Sequence, residues 1–266
     1  MKSTNRKVAI FFMLCASLSL GNAQRFLEPI FNQIKKTNNI QYGSATNYLG
    51  TNENLMLNVY EPVGDTASKR PLIIYIHGGG FIDKNQSKDL VHIVAFCDSF
   101  ARRGYTIASI NYRLDSAINN RAIINPMHDA KGAIRFLRKN ASTYKIDPSV
   151  IFIGGESAGA ITSLTASYID KAAEVNYPTT LPNAKDRTVE GNSGSAGFSS
   201  KTNAVLCLCG GEETSTKEKL FDTSAIESKS DAPLLFVHGT KDAHISILSA
   251  VKVAKRAEHL GIGNLF

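Results

Sequence analysis

The stretch VIFIGGESAGAI, residues 150–161, decides the fold. Its first four residues are continuously apolar, which predicts a strand covered on both faces of a parallel sheet. Gly155-Glu156-Ser157-Ala158-Gly159 follows, and residues 157–169 have a helical pattern. A serine at such a sharp strand-to-helix turn is exposed at the carboxyl edge of the sheet, where helix N–H groups favour negative charge. Ser157 is therefore a candidate nucleophile; the alternative is a glycine-rich turn with a capping serine.

Strand and helix patterns alternate on both sides of this stretch. This alternation predicts an α/β protein whose mostly parallel, doubly wound sheet has helices on both faces. We predict helices at 87–103, 126–144, 157–169 and 245–260, and strands within 39–60 and at 72–76, 105–112, 150–153, 204–208, 233–238 and, just beginning, 263–266. Residues 171–200 are rich in Gly, Ser and Asn, so we expect one long loop within a single domain, 24–266, that could cover a pocket.

A glycine run follows the apolar strand 72–76. In His77-Gly78-Gly79-Gly80-Phe81 the backbone can approach a ligand without side chains in the way. The N–H groups of Gly79 and Gly80, with that of Ala158, are candidate donors for an oxyanion hole. A phosphate-binding loop is the alternative, but no lysine follows in P-loop spacing. His77 is expected to hold the loop rather than to act as a base.

Further motifs lie in the same order along the chain. They are Asn111-Tyr112-Arg113-Leu114, Asp129-Ala130-Lys131, Asp147-Pro148 and His238-Gly239-Thr240-Lys241-Asp242. Together with the two glycine motifs they resemble the α/β-hydrolase superfamily, and within it the HGGG carboxylesterases of the hormone-sensitive-lipase and type-B carboxylesterase kind. The resemblance covers residues 39–266. It implies a serine, acid and histidine triad in that chain order, with Ser157 as nucleophile, Asp242 as acid, and His77, Gly78, Gly155 and Gly159 as supporting positions.

The sequence offers a residue for the acid that the resemblance implies, but no suitable histidine for the base. Asp242 follows a predicted strand at a turn, as the resemblance requires, although it could instead cap the helix that begins near Ile245. His244 is too close to Asp242 to reach Ser157, and His259 lies near the end of a helix. We therefore expect the catalytic histidine beyond residue 266, and a sheet that is C-terminally incomplete, with its final strand missing.

The N-terminus has the pattern of a secretory signal peptide. Lys2, Arg6 and Lys7 precede an apolar stretch, 8–20, and small residues follow, with predicted cleavage near Ala23. A membrane anchor is the alternative, but the apolar run is too short to span a bilayer comfortably. We expect a secreted or periplasmic protein with no membrane span after cleavage.

Composition limits the partners. The 266 residues carry a net charge of +7, and removal of residues 1–23 would leave a value near +4. The remaining Lys and Arg are scattered, so a nucleic-acid partner is not expected. No cluster has metal-site spacing, so neither a metal nor a cofactor is expected. Cys97, Cys207 and Cys209 could form one disulfide and leave one thiol, or all be buried small side chains. The sequence indicates no oligomeric state.

These expectations combine into a functional hypothesis. The resemblance implies an exported serine carboxylic ester hydrolase, working through an acyl-enzyme on Ser157 and acting on a small-molecule or polysaccharide-linked ester. A peptidase or thioesterase on the same fold is one alternative, although the HGGG run favours esters. A non-catalytic binding protein that keeps the fold is another.

Overall fold

The computed structural model describes residues 24–175, 188–212 and 221–266. The predicted signal peptide, 1–23, and part of the predicted long loop, 176–187, lie outside the described residues. The described residues build one eight-stranded sheet in the order β1-β2-β4-β3-β5-β6-β7-β8. β1, β2 and β4 pair antiparallel, and every pair from β4 to β8 is parallel. The predicted doubly wound, mostly parallel sheet is confirmed.

The strands occur along the chain in the predicted order. They are β1 Ile34–Thr46, β2 Asn52–Pro62, β3 Arg70–Ile76, β4 Thr106–Ile110, β5 Ile146–Glu156, β6 Ala204–Leu208, β7 Leu234–Val237 and β8 Asn264–Leu265. β6 has the predicted bounds, and β8 begins where a further strand was expected. The structure holds two residues of β8, which pair with Leu234 and Leu235 of β7.

Four α-helices pack on this sheet within the described residues. They are α1 Val91–Ala101, α2 Asn120–Lys139, α3 Ala158–Tyr168 and α4 Ile247–His259. The predicted start of α2 at Pro126 is wrong by six residues, because the Asn119 side chain accepts a hydrogen bond from the Ala122 N–H and caps an earlier start. Pro126 lies inside the helix. The predicted start of α1 at Ser87 is also too early, since 87–90 form a turn.

The two faces of the sheet are covered unequally. One face packs against α2, α3 and α4 and holds the larger core, including Ile74, Ile153 and Phe236. The other packs against α1 around Tyr60, Ile73 and Tyr75. Because side chains alternate along a strand, the β7 and β8 side chains on the α1 side extend past that helix. They are large, apolar and exposed there: Leu235, Val237 and Leu265.

The described part of the long loop is fastened to α2. The Ser193 hydroxyl donates to Asp129 Oδ1 at 2.6 Å, and Arg135 Nη1 donates to Glu190 Oε2 at 2.7 Å. A Cβ on Gly132 would lie 2.9 Å from Ser193 Cβ, so loop and helix are in close contact. The described part of the loop lies between α2 and β1, where a Cβ on Gly43 would overlap the Ser193 carbonyl oxygen. That the loop could cover a pocket stays a prediction.

Two further expectations can be compared with the described residues. Cys97, Cys207 and Cys209 are all free thiols. Burial is complete for Cys97 and Cys207 but only partial for Cys209, so two of the three match the alternative of buried small side chains. Within residues 24–175, 188–212 and 221–266, no helix is long and apolar enough to cross a membrane.

Candidate active site

Ser157 lies between the last residue of β5 and the first of α3, at the carboxyl edge of the sheet. Its backbone has φ 52° and ψ −118°, a strained conformation for a residue with a side chain. The Ser157 N–H donates to the Leu208 carbonyl oxygen of β6 at 2.9 Å, which fixes the turn to the neighbouring strand. The flanking glycines are sterically required, because a Cβ on Gly155 would lie 2.5 Å from the Ile76 carbonyl oxygen and one on Gly159 would overlap it.

The glycine loop after β3 passes directly against this turn. A Cβ on Gly78 would lie 3.3 Å from Ser157 Cβ. Gly79 and Gly80 have φ of 110° and 57°, backbone that glycine adopts without strain. Ala158 begins α3, where its N–H is one of the groups that the helix leaves unpaired. The structure thus places Gly78, the residue before the two predicted loop donors, against Ser157, and Ala158 directly after Ser157.

Tyr112 and His77 hold the glycine loop in place through hydrogen bonds to its carbonyl oxygens. The Tyr112 hydroxyl lies 3.1 Å from both the His77 and the Gly78 carbonyl oxygens, and its ring stacks on the His77 ring with centroids 4.5 Å apart. His77 Nδ1 lies 2.8 Å from the Gly78 carbonyl oxygen, so it carries the proton that is donated there. Burial lowers the pKa of His77, which keeps the ring neutral and suits a holding role.

Sequence reasoning missed the role of Tyr112. It was noticed only as part of the strand end Asn111–Leu114, although a tyrosine directly after a buried strand at the active edge was the available signal. Burial raises the pKa of Tyr112, so its hydroxyl remains a donor.

Asp242 lies in the turn after β7. Its Oδ1 accepts from the His244 N–H at 2.8 Å and from the Ile245 N–H at 3.0 Å. These two donors lower the pKa of Asp242, so the carboxylate is ionised at neutral pH. The alternative that Asp242 caps α4 is wrong, because Ser246 is the N-cap and accepts from the Leu248 N–H.

The serine and the acid share one edge of the sheet. β5, which ends before Ser157, and β7, which precedes Asp242, lie on either side of β6. Parallel strands are spaced by ~4.8 Å, so the two ends are about 10 Å apart. This gap suits an imidazole placed between a carboxylate and a hydroxyl, the arrangement of a triad.

The histidines near this edge have other contacts. The His238 side chain is buried. Its Nε2 lies 2.9 Å from the Ile245 carbonyl oxygen and 3.4 Å from Asp242 Oδ2, so it braces the turn that carries the acid. Sequence reasoning missed this contact, for which the His-x-x-x-Asp spacing was the signal. His244 and His259 are exposed. No histidine among the described residues is hydrogen-bonded to Ser157.

His92 makes a second contact that sequence reasoning missed. Its Nε2 lies 2.7 Å from Oε1 of Glu156, the residue before the nucleophile. This pair lies on the α1 side of the serine turn. Within the described residues, no group of three or more His, Cys, Asp or Glu side chains could hold a metal ion.

Comparisons with known proteins place this geometry in a family. The family model BD-FAE matches residues 57–256, a span that begins in β2 and ends in α4. Among solved structures, a truncated carbohydrate esterase from gut microbiota superposes with a TM-score of 0.66 at 22% identity, covering 90% of this chain and 88% of its own. Esterase 2 of Thermogutta terrifontis, phosphoramylated by tabun, gives 0.64 at 22% identity, covering 88% and 81%.

Curated relatives match over shorter stretches. Lipase 1 of Geotrichum candidum is 27% identical over 177 residues, which are 57% of this chain and 30% of the lipase. Juvenile hormone esterase of Heliothis virescens is 32% identical over 104 residues, 37% of this chain and 18% of the esterase. The chain thus spans less than a third of either relative. By its fold and by the family model that matches three quarters of its length, the chain belongs to the BD-FAE family of α/β-hydrolases, among the carboxylesterases and lipases.

Proposed function

We propose that the protein is an exported serine carboxylic ester hydrolase that acts through an acyl-enzyme on Ser157. The observation that carries the proposal is the strained Ser157 backbone, φ 52°, between β5 and α3 and directly against the glycine loop. A strained serine with unpaired N–H groups beside it suits attack on an ester carbonyl. The hydroxyl oxygen forms a bond to the acyl carbon, and the alcohol of the ester departs with the proton that the serine loses.

The oxyanion of the tetrahedral intermediate is assigned to the N–H groups of Gly79, Gly80 and Ala158. Backbone donors held in place before the reaction stabilise charge without reorganisation, an effect that in other hydrolases is worth about 3–4 kcal/mol per donor. Tyr112 and His77 keep the glycine loop against the serine. Water then attacks the acyl-enzyme and releases the acid, through a second oxyanion at the same donors.

Asp242 is assigned as the acid that orients the base. Its carboxylate is ionised and belongs to a turn braced by His238, which suits a fixed hydrogen-bond acceptor. We assign the base to a histidine that comes after residue 266 in chain order. His244 and His259 remain unsuited, because the first lies in the Asp242 turn and the second is the exposed last residue of α4.

The substrate is proposed to be a small-molecule or polysaccharide-linked carboxylic ester. A gut carbohydrate esterase and the Thermogutta esterase phosphoramylated by tabun share the fold, and this supports an ester substrate. Export is proposed from the signal pattern of 1–23 alone; an N-terminal sequence starting at Gln24 in the periplasmic or culture fraction would support it, and retention of residues 1–23 would contradict it.

Labelling and turnover test the catalytic proposal. Purified residues 24–266 would be treated with a fluorophosphonate and with p-nitrophenyl acetate, each with and without added imidazole. We expect weak labelling and turnover that imidazole raises, since free imidazole can replace an absent histidine base. After subtraction of a protein-free blank, in which imidazole alone hydrolyses p-nitrophenyl acetate, Ser157→Ala should abolish both signals. Ser116→Ala, an exposed serine after β4, should change neither. Signals that survive in Ser157→Ala would contradict the nucleophile, and full turnover without imidazole would place the base among the six histidines of this chain.

A further inference from the structure

A cavity of about 280 Å³ lies at the amino edge of the sheet. Arg135, in the second half of α2, and the loop before β6, mainly residues 196–201, line it. Asn203, which follows this loop, exchanges hydrogen bonds with the backbone of Ile151 in β5. The chain from Ile151 to Ser157 spans about 20 Å at about 3.3 Å per residue. The cavity is therefore separate from the candidate active site, and the proposed hydrolysis assigns no role to it.

The Arg135 guanidinium is buried, yet one of its nitrogens has no partner. The side chain is only 4% exposed. Its Nε donates to the Gly194 carbonyl oxygen at 3.0 Å, and its Nη1 donates to the carbonyl oxygen and to Oε2 of Glu190, at 2.8 and 2.7 Å. Nη2 has no acceptor among the described residues and is not fully enclosed by them. The free N–H groups of a buried cation are therefore available to a ligand in the cavity.

The loop supplies further donors that have no partners. The Lys201 side chain is exposed and contacts no acidic group in the described part of the chain. The backbone N–H groups of Gly197, Ser199 and Ser200 likewise donate to no described acceptor. All four residues line the cavity. Backbone N–H groups and cationic side chains are the donors with which proteins bind anions.

Positive charge exceeds negative charge around the cavity. Four cations lie in or beside its walls, and the one carboxylate that any of them contacts within the described residues is that of Glu190. These cations are Lys131, Arg135, Arg138 and Lys201. Burial lowers the pKa of Lys131 and of Arg138, so their positive charges are held at a cost. An anion in the cavity would reduce that cost.

Glu190 does not block the site, because both of its carboxylate oxygens are engaged. Oε1 accepts from the Ser200 hydroxyl at 2.7 Å and lies 3.5 Å from Lys131 Nζ, and Oε2 accepts from Arg135 Nη1. Burial opposes ionisation of Glu190, but Lys131, the Ser200 hydroxyl and Arg135 together lower its pKa. The carboxylate therefore orients Arg135 and leaves Nη2 free for a ligand.

These donors suit a tetrahedral oxyanion better than other ligands. A carboxylate is bound best by two parallel N–H groups of one guanidinium, but Nε and Nη1 of Arg135 are already used. A phosphate or sulfate group instead accepts hydrogen bonds through several oxygens in different directions. A cation would be repelled by the surrounding positive charges, and an apolar ligand would leave the donors without acceptors.

We propose that this cavity binds a tetrahedral oxyanion, phosphate or sulfate, between Arg135 Nη2 and the Lys201 ammonium group. The free N–H groups of the loop donate to the remaining oxygens. The oxyanion is either the free anion or the head of a phosphate ester whose organic part contacts Phe198, which also lines the cavity. The inference does not depend on the proposed ester hydrolysis, since the cavity and Ser157 lie at opposite edges of the sheet.

An NMR titration tests the site. Nitrogen-15-labelled residues 24–266 would be titrated with sodium phosphate, sodium sulfate and phenyl phosphate, each against sodium chloride of equal ionic strength. We expect saturable shifts of the Gly197, Ser199 and Ser200 amide signals that chloride does not produce. Lys201→Met should weaken binding about tenfold, the loss expected for a hydrogen bond between charged groups, and Lys201→Arg should retain it. The matched change Lys255→Met, on the exposed side of α4, should leave binding unchanged.

The outcomes are distinct. The absence of saturable shifts with phosphate and sulfate, equal shifts with chloride, or equal binding by wild type and Lys201→Met would overturn the site. Because the Lys201 side chain makes no described contact, Lys201→Met should keep the fold, which the same spectrum reports. Tighter binding of phenyl phosphate than of inorganic phosphate would assign the site to a phosphate ester, and equal or weaker binding would assign it to the free anion.

Discussion

The serine turn and the acid turn lie at the same edge of one sheet, but they are built differently. Around Ser157 the chain packs so closely against the end of β3 that Gly155 and Gly159 have no room for a Cβ. Around Asp242 the turn is open: nothing lies within 4 Å of a Cβ on Gly239, and Val237 is 56% exposed. The serine is positioned by packing, whereas the acid is positioned by a few hydrogen bonds. Substitutions in the serine turn should therefore mainly lower stability, and substitutions in the acid turn should mainly lower activity.

The largest expected effect lies in the open turn, where the side chain itself is the function. In the catalytically active protein, Asp242→Asn should lower kcat by about 10⁴-fold, because an amide orients the wrong tautomer of the base. The fold should persist, since the amide oxygen can still accept from the His244 and Ile245 N–H groups. Steady-state kinetics and circular dichroism would measure both. A near-normal kcat would move the acid elsewhere; Asp170→Asn, an exposed aspartate after α3, is the control.

Paired glycine substitutions test the difference in packing directly. Gly159→Ala should destabilise the protein by about 3–5 kcal/mol, because its Cβ would overlap the Ile76 backbone, which cannot move without shifting β3. Gly239→Ala should change stability by less than about 1 kcal/mol. Urea unfolding would measure both free energies. Equal losses in the two variants would contradict the comparison.

A smaller effect is expected when a single tyrosine hydroxyl is removed. Tyr112→Phe leaves the His77 and Gly78 carbonyl oxygens without this donor and should cost about 1–3 kcal/mol. It should also lower kcat, because the glycine loop loses its support. Tyr168→Phe removes one bond, to Ala232 before β7, and should cost about 1 kcal/mol with kcat unchanged. A kcat equal to that of wild type in Tyr112→Phe would remove its positioning role.

The smallest expected effect is a difference between the pH ranges in which His77 and Asp242 contribute stability. The lowered pKa of His77 means that its neutral form contributes stability above its unfolded pKa, about 6.5, and that this contribution is lost as the pH falls below that value. The lowered pKa of Asp242 has the same sign, but its contribution is lost only as the pH falls below about 3.9. Thermal melts would be measured from pH 8 to pH 2. His77→Asn should reduce the dependence of Tm on pH below about 6.5, and Asp242→Asn should reduce it below about 3.9. A reduction in the same pH range by both variants would contradict the assignment.

The comparison also explains what the sequence could predict. β6 and the serine turn were predictable because strand periodicity and the Gly-x-Ser-x-Gly pattern are local properties of the chain. The start of α2 was missed because Pro126 suggested a first turn, while Asn119 provides the cap. The bracing of Asp242 by His238 needed the turn geometry, and the contact of Tyr112 with the glycine loop joins residues more than thirty positions apart. Periodicity carries no information about contacts of that range.

The fastening of the loop to α2 has a consequence for the folding pathway. The bond from Ser193 to Asp129 joins residues 64 positions apart, and Arg113, which also donates to Asp129, lies 80 positions from Ser193. Closing such distant contacts costs chain entropy before any contact compensates for it, so they slow folding and tend to form last. This buried cluster therefore forms late in folding. Its amide protons should gain protection from exchange after those of α2 and α3, whose backbone hydrogen bonds join residues four positions apart.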